Sequence, residues 1–312
     1  MSLAILVVVG AAILLLRTGG SDSRDGTARA KPPIPPRAEK SNAKTVGPPD
    51  IWRSGAGDSW ATFSRSVPAQ LGIAAAPLGA GPGRSFGPLQ QGHAWSSIKV
   101  PILVTRMRET AGTGMDTEES AWARAALTES DNAAAAALFE HIGAAQGSSD
   151  AAALAVQSVL RRAGDRATTI ATALPPSGAV STYGQSLWSL SESTVFFRSL
   201  SRGCLLDPAA TLYVTGLMEE VIPEQRWGLG EAAFPAHWQI AMKGGWGPEG
   251  SASGPYLVRQ SGLLRDGKAG IAVAMMAQGD SGSFEDGVSA IDHLAEWLRA
   301  NLRGLGGPTV KC

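Results

Sequence analysis

Ser96 and Lys99 are the residues of this chain whose types and spacing best suit a chemical reaction. They lie three residues apart in the stretch 94–101, so on a helix both side chains share one face. A lysine that burial keeps neutral can take the proton of a nearby serine hydroxyl. A helix that begins near Ser96 also directs free backbone N–H groups at a developing oxyanion. The pair therefore predicts a serine nucleophile activated by a lysine.

The Ser-x-x-Lys pattern alone is a weak signal. A second copy, from Ser41 to Lys44, lies in a proline-rich stretch that could not hold a site rigidly. Two later segments strengthen the first copy, namely Ser130-Asp131-Asn132 and Lys243-Gly244-Gly245. Each of the three segments taken alone could be an ordinary polar loop, and for Ser-x-x-Lys alone the loop is the better explanation. Their order in one chain favours a single site.

In this order the segments resemble the penicillin-recognising serine enzymes, and most closely the class A β-lactamases. That family carries S-x-x-K, S-D-N and K-T-G. The resemblance runs from about Ser59 to Leu305. It implies an α+β fold with an antiparallel sheet flanked by helices and an inserted all-helical subdomain. Residues 51–305 would then form one β-lactamase-like serine hydrolase domain.

The resemblance also implies a role for each site residue. Ser96 would be the acylated nucleophile, and Lys99 would help to deprotonate it. Ser130 would relay a proton to the leaving nitrogen, and the backbone N–H groups of Ser96 and Trp246 would form the oxyanion hole. Lys243 would supply positive charge for a substrate carboxylate and for Ser130. The predicted catalytic residues are thus Ser96, Lys99, Ser130 and Lys243, and the predicted substrate-binding residues are Asn132, which would hold the substrate's amide side chain, Gly244, Gly245 and Trp246.

The chain departs from the class A pattern in two places. Gly244 replaces the hydroxyl residue of K-T-G, which removes one donor to a substrate carboxylate. Class A enzymes also carry a glutamate on their Ω-loop that activates the deacylating water. Residues 164–188 contain no glutamate, and Asp165 is their only carboxylate. Glu192 is the nearest glutamate, and its place in a helical pattern favours a solvated helix face.

Three functions remain open on these residues. The first is a serine hydrolase that attacks a β-lactam or a D-alanyl-type peptide amide with poor deacylation. The second is a catalytically weak pseudoenzyme that binds penicillin or cell-wall peptide. The third is a serine amidase or glutaminase, because glutaminases share this fold and the S-x-x-K pair. None of the three requires a cofactor, and the sequence shows no metal-ligand spacing.

The composition of the chain limits the kinds of partner that it could bind. The 27 basic and 27 acidic residues balance without a basic block, which argues against nucleic acid as a partner.

The only cysteines are Cys204 and Cys312. We expect Cys204 to be a small buried hydrophobe and Cys312 to be mobile at the chain end; two cysteines allow a disulfide, but the sequence does not indicate one. We expect a monomer.

The N-terminal 50 residues do not look globular. An apolar run from Leu3 to Leu16 predicts a membrane anchor or signal segment over residues 1–17, and we favour an uncleaved anchor. Residues 18–50 are rich in Pro, Gly and Ser and predict a linker. Residues 306–312 are interpreted as a C-terminal tail. The whole pattern predicts an exported, extracytoplasmic protein.

Periodicity places secondary structure between the three segments. Strands are predicted over 71–78, from 85 onwards, and over 235–242, 256–264 and 270–278. Helices are predicted from about 97 to 109, from 116 to about 128, from 132 onwards, and over 149–163, 186–202, 207–221 and 284–302. In the helix over 149–163, Leu154 is expected to point inward. Strands at both ends with helices between them predict the same sheet domain with a helical insertion.

Overall fold

The computed structural model describes residues 50–111, 114–173 and 180–312. The predicted anchor and all of the predicted linker except Asp50 lie outside the described residues. The chain divides near residue 45, and every described residue belongs to the unit Val46–Cys312. Within the described ranges, no helix is both long and apolar enough to cross a membrane.

A five-stranded antiparallel sheet forms one layer of the fold. Its strands are β1 (Ala69–Pro77), β2 (Arg84–Phe86), β5 (Gln239–Pro248), β6 (Tyr256–Asp266) and β7 (Ala269–Gly279). Their order across the sheet is β2-β1-β7-β6-β5, and every neighbouring pair is antiparallel. Two short strands, β3 (Gln91–His93) and β4 (Leu187–Ser189), pair separately. Strand β3 runs directly into the turn that carries Ser96.

Helices cover both faces of the sheet, and six of the eight α-helices in the described ranges lie between β3 and β5 in sequence. They are α1 (Ala56–Ser66), α2 (Lys99–Glu109), α3 (Thr117–Arg124), α4 (Asn132–Gln146), α5 (Ser149–Ala163), α6 (Leu190–Ser201), α7 (Pro208–Glu219) and α8 (Phe284–Asn301). Asp116 and Glu119 form the predicted capping box of α3. Helices α2 to α7 come between β3 and β5 in sequence, so the α+β fold with a helical insertion is confirmed.

Two main apolar clusters hold these layers together. One joins the inserted helices and includes Ile102 and Leu138, both fully buried. The other lies between the sheet and the terminal helices and includes Ile291 and Met275, also fully buried. Most of the predicted site lies on α2 and β5. Buried residues of the first cluster lie on α2, and β5 contributes Ala241 to the first cluster and Met242 to the second. Burial on both sides limits how far either element can shift.

Two local predictions were wrong. The side chain of Leu154 was expected inside, yet it is 64% exposed, because α5 turns Ala152, Ala153 and Val156 inward instead. Strand β5 starts at Gln239 and not at Pro235, because the stretch Pro235–Trp238 forms a turn in which the Trp238 N–H donates to the Pro235 carbonyl at 2.8 Å. Strand β5 also extends beyond Met242 to Pro248 and carries the whole of Lys243-Gly244-Gly245.

The interpretation of the two cysteines as separate residues was also wrong, because Cys204 and Cys312 form a disulfide with a Cα–Cα distance of 5.2 Å. The residues before Cys312 add backbone contacts. The Thr309 N–H donates to the Lys268 carbonyl at 2.6 Å, and the Val310 N–H donates to the Leu78 carbonyl at 3.2 Å. The last seven residues are therefore tied to the sheet and to the end of α6.

Candidate active site

Ser96 lies in a single 3-10 turn, Trp95–Ile98, that leads directly into α2. The Lys99 N–H donates to the Ser96 carbonyl, so the turn and the helix are continuous. Pro101 occupies the first turn of α2, where its missing N–H costs no helical hydrogen bond. The sequence therefore places the serine at a helix start, as predicted.

Strand β5 lies against this turn at very short range. A β-carbon added to Gly245 would lie 2.9 Å from each of the Ala94 carbonyl oxygen, the Ser96 nitrogen and the Ser97 nitrogen. Any side chain at this position would push the strand away from the serine, which explains the glycine. The close approach brings the backbone of Gly245 and Trp246 beside the Ser96 N–H, the pair of elements that the predicted oxyanion hole requires.

Ser130 is brought to the same place by an unusual backbone. The π-helical turn Ala125–Glu129 follows α3, and Ser130 then takes a left-handed conformation with φ 60°. Asp131 caps α4 by accepting from the Ala134 N–H at 2.6 Å. The Lys243 Nζ donates to Ser130 Oγ at 2.8 Å. A π-turn and a left-handed residue together identify a backbone held in place by its surroundings.

Lys99 binds the Ser130-Asp131-Asn132 segment. Its Nζ donates to the Ser130 carbonyl at 2.5 Å, to Asn132 Oδ1 at 2.7 Å and to the Asp131 carbonyl at 3.2 Å. Ser130 Oγ is farther away, at 3.5 Å. No hydrogen bond between described residues joins Lys99 to Ser96 Oγ. Ser96 and Lys99 therefore line the same cavity, and the predicted hydrogen bond between their side chains is not formed.

Burial shifts the pKa values of both lysines downward. Burial lowers the pKa of Lys99 from 10.5 to about 8, against a smaller opposing effect of the Asp131 carboxylate. Lys243 is fully buried, and burial together with the charge of Lys99 holds its pKa well below the ordinary value of 10.5. Neither lysine forms an ion pair with a carboxylate within residues 50–111, 114–173 and 180–312. The pair therefore leaves positive potential available for an anionic group.

A cavity of about 250 Å³ joins these residues. Its walls include five of the eight predicted site residues, Ser96, Lys99, Ser130, Asn132 and Trp246. Trp95, Ser181 and Tyr256 complete much of the remaining wall. Lys243 is buried beside Ser130, and Gly244 and Gly245 form the strand behind it. The structure thus brings all eight residues to one place.

Comparison with known proteins agrees with this geometry. The family described as "Beta-lactamase enzyme family" matches residues 111–301, which is more than half of the chain. The chain belongs to this family. No curated protein matches the sequence. The matched range contains Ser130, Asn132 and Lys243, and it begins after Ser96 and Lys99.

Solved structures show the same fold. A β-lactamase from Xanthomonas campestris pv. campestris str. ATCC 33913 is 19% identical, with a TM-score of 0.62 over 80% of this chain and 97% of that chain. A class A β-lactamase from Mycobacterium abscessus is 19% identical, with a TM-score of 0.61 over 78% and 98%. The structure of PBP-A is 18% identical, with a TM-score of 0.60 over 78% and 94%. The chain is therefore a penicillin-recognising serine enzyme homologue in sequence family and in fold.

A tryptophan explains why this β-lactamase family member has glycine in place of the K-T-G hydroxyl residue. A β-carbon on Gly244 would lie 2.8 Å and 2.9 Å from two ring carbons of Trp227. The indole is itself 7% exposed and packs against Trp246 with ring centroids 6.2 Å apart. The space that a threonine side chain needs is thus filled by a buried aromatic ring.

The two candidate deacylation carboxylates, Asp165 and Glu192, lie beside each other and away from the cavity wall. Asp165 is fully buried, and its Oδ1 accepts from the Ala167 and Thr168 N–H groups at 3.1 Å and 2.9 Å. Its Oδ2 accepts from the Trp188 indole at 3.0 Å. Burial, and then the charge of Asp165, raise the pKa of Glu192. The predicted solvated helix face holds only in part for Glu192, which is half-buried and has its Oε2 shielded from solvent.

Two functional candidates were missed by the sequence analysis. Arg259 on β6 is fully buried, and burial lowers its pKa to about 9. Its guanidinium donates to the His93 carbonyl at 3.1 Å and to Ser193 Oγ at 2.9 Å. Glu249 binds the rings of His93 and Trp95. The polar run Arg259–Ser261 inside an apolar strand was the signal for the arginine, whereas nothing local to Glu249 marks it.

Proposed function

We propose that this β-lactamase family member is a serine hydrolase that acylates Ser96 with a β-lactam or a D-alanyl-type peptide amide and releases the acyl group slowly. One observation carries the proposal. Ser96, Lys99, Ser130 and Asn132 line a single cavity, with Lys243 hydrogen-bonded to Ser130 behind it. The substrate is a small molecule or short peptide, since the cavity volume of about 250 Å³ lies just below the range of typical ligand pockets.

Acylation begins with a proton leaving Ser96. With a pKa of about 8, roughly a tenth of Lys99 is neutral at pH 7, and the neutral amine takes the hydroxyl proton as Ser96 Oγ adds to the carbonyl carbon. The substrate must draw Lys99 Nζ from its carbonyl partners towards Ser96. The Ser96 and Trp246 N–H groups stabilise the oxyanion that forms.

Ser130 completes the step by supplying a proton to the leaving nitrogen. Its oxygen already accepts from Lys243 at 2.8 Å, so its own O–H hydrogen is directed elsewhere. As Ser130 gives up that hydrogen, Lys99 returns the one it took from Ser96. Lys243 stabilises the transient negative charge on Ser130 and attracts a substrate carboxylate.

Release of the acyl group is slow because neither candidate carboxylate is placed to act as the base. The water that attacks the acyl ester must lose a proton to a positioned base. Asp165 is committed to three hydrogen bonds at the base of its loop, and Glu192 lies beside it. Asp165 therefore stabilises the loop, Glu192 interacts with Asp165, and neither carboxylate lines the cavity.

Peptide mapping tests the nucleophile directly. The protein is incubated with a fluorescent penicillin, digested and sequenced by mass spectrometry. The adduct is expected on the peptide that contains Ser96, and Ser96→Ala is expected to lose it while Ser97→Ala keeps it. An adduct on another residue, or equal labelling of Ser96→Ala, would refute the proposal.

A second candidate function, a binding protein that kept the pocket and lost turnover, is favoured by one specific contact. Trp227 fills the place of the K-T-G hydroxyl side chain, which removes a donor to a penicillin carboxylate. Such a protein would bind cell-wall peptide reversibly without acylation. Binding of a D-alanyl peptide by calorimetry, together with the absence of any covalent adduct, would identify this function.

We also propose that the domain is exported and held at a membrane by residues 1–17. The disulfide Cys204–Cys312 supports this, because disulfides persist in oxidising compartments. The full chain is expected to sediment with membranes, and a version that starts at Gly47 is expected to be soluble and monomeric. Recovery of the full chain in the cytosolic fraction would contradict the proposal.

A further inference from the structure

Trp95, the residue directly before the proposed nucleophile, has a backbone conformation that its side chain disfavours. Its φ is 46°, in the left-handed region where a bulky residue is rarely found. Such a conformation persists only when surrounding contacts hold it. The backbone of Trp95 sets the direction of the Ser96 N–H, so these contacts bear on the oxyanion hole.

Glu249, in the connection between β5 and β6, binds the side chain of Trp95. Its Oε1 accepts from the Trp95 indole N–H at 3.2 Å, and its Oε2 lies 2.7 Å from His93 Nδ1. The His93 and Trp95 rings meet edge to face with centroids 6.0 Å apart. One carboxylate thus joins the two rings on either side of Ala94.

Other contacts of this segment hold the Trp95 ring and the main chain before it. The Trp95 ring lies against Gly247, where an added β-carbon would come within 2.3 to 2.5 Å of three ring atoms. Arg259 holds the main chain of the same segment through the Gly92 and His93 carbonyls, at 3.3 Å and 3.1 Å. Among the described residues, Glu249 makes the only hydrogen bond to the indole of Trp95.

We propose that Glu249 is a positioning residue for acylation. It fixes Trp95 in the left-handed conformation and so keeps the Ser96 N–H directed at the oxyanion position beside β5. The inference rests on the proposed function, namely that Ser96 is acylated. Glu249 itself does not line the cavity. It acts through the Trp95 indole and the His93 ring, so its loss affects the rate of bond formation more than the binding of substrate.

The test compares three variants in stopped-flow acylation with a fluorescent penicillin, from which a dissociation constant and an acylation rate constant are separated. Glu249→Ala is expected to lower the rate constant about 10- to 100-fold, the range for a lost hydrogen bond to a charged group. The dissociation constant is expected to change by less than about threefold. Glu249→Gln is expected to recover most of the rate, because its amide oxygen accepts from the Trp95 indole as the carboxylate oxygen does.

Asp266→Ala is the matched control. It removes a carboxylate 3.5 Å from an exposed histidine, His237, at the opposite end of β6. This variant is expected to acylate at the wild-type rate. An unchanged rate in Glu249→Ala, equal losses in the Ala and Gln variants, or a loss of affinity as large as the loss of rate would each overturn the inference. If the wild-type protein itself shows no adduct at Ser96, the proposed function fails instead.

Discussion

At the scale of single residues, the site depends on cations that are buried without carboxylate partners. Lys99 and Lys243 both contact Ser130, and burial lowers both pKa values. Carbonyl oxygens and an amide oxygen surround Lys99 in place of a carboxylate. This environment lets a lysine lose its proton at a pH where a surface lysine stays charged.

Acylation is expected to depend on pH through Lys99. Burial lowers its pKa to about 8, and the neutral amine is the active form, so the acylation rate should rise about tenfold per pH unit below 8 and level off above it. Lys99→Arg should lose about 10²- to 10⁴-fold at every pH, because arginine stays protonated. Single-turnover rates between pH 5 and 10 measure the profile. A flat profile in the wild-type protein would exclude Lys99 as the base.

The contact between Gly244 and Trp227 predicts the effect of restoring the K-T-G sequence. Gly244→Thr places a β-carbon within 3 Å of the Trp227 ring and should cost about 1–3 kcal/mol of unfolding free energy. Trp227→Leu in the same chain should remove most of this extra cost, which a double-mutant cycle in urea measures. Gly304→Thr serves as the control, since a β-carbon there has no neighbour within 4 Å. Additive effects of Gly244→Thr and Trp227→Leu would show that the ring does not exclude the side chain.

At the scale of elements, the three motif segments are positioned by irregular backbone at the ends of regular elements. Ser96 lies in a 3-10 turn before α2, and Ser130 follows a π-turn before α4. The loop after α5 is held by Asp165, whose carboxylate joins that loop to Trp188 on β4. Glu192 on α6 extends this group to the next helix, so the Asp165–Glu192 pair couples the loop to the helix.

The contribution of Glu192 to the free energy of unfolding is expected to fall as pH rises. The pKa of Glu192 is raised above its ordinary value of 4.5, so its contribution is fully present below that value and is lost as pH rises through the folded pKa. Glu192→Gln keeps a neutral donor beside Asp165, so its stability advantage over wild type should grow above pH 4.5. Urea unfolding from pH 4 to 8 tests this, with exposed Glu140→Gln as the control. A wild-type–variant difference that is constant with pH would contradict it.

The accuracy of the sequence predictions differs between elements and contacts. The capping box at Asp116 and the stop at Gly164 are local signals, and α3 and α5 begin and end where they indicate. The three motif segments also converge as the family resemblance implied. The contacts of Trp227 with Gly244, and of Glu249 with Trp95, join residues far apart in the chain. Such contacts depend on the folded arrangement and have no local pattern.

At the scale of the whole molecule, both ends of the described chain return to the sheet domain. The Arg53 N–H donates to the Asn301 carbonyl at 2.8 Å, so the start of the domain contacts the end of α8. The disulfide joins the C-terminus to Cys204, 108 residues earlier. These ties close the domain around α6 and α8, with the cavity on the side of α2 and β5.

The disulfide is expected to stabilise the folded domain. Opening a loop of this length should lower the free energy of unfolding by about 2–5 kcal/mol. Thermal unfolding with and without reductant measures the effect. The variant Cys204→Ser/Cys312→Ser provides the control, because its transition should not respond to reductant. If the wild-type transition also ignores reductant at full reduction, the bond contributes no stability.

The central claim is that Ser96 forms an acyl-enzyme that the protein releases slowly. Intact-protein mass spectrometry tests it most directly, on samples taken at intervals after excess penicillin is removed. We predict one adduct per protein with the mass of the whole penicillin, persisting long after removal and missing from Ser96→Ala. An adduct that disappears within the first samples, together with fast multiple turnover of nitrocefin, would contradict the claim and identify an efficient deacylating base.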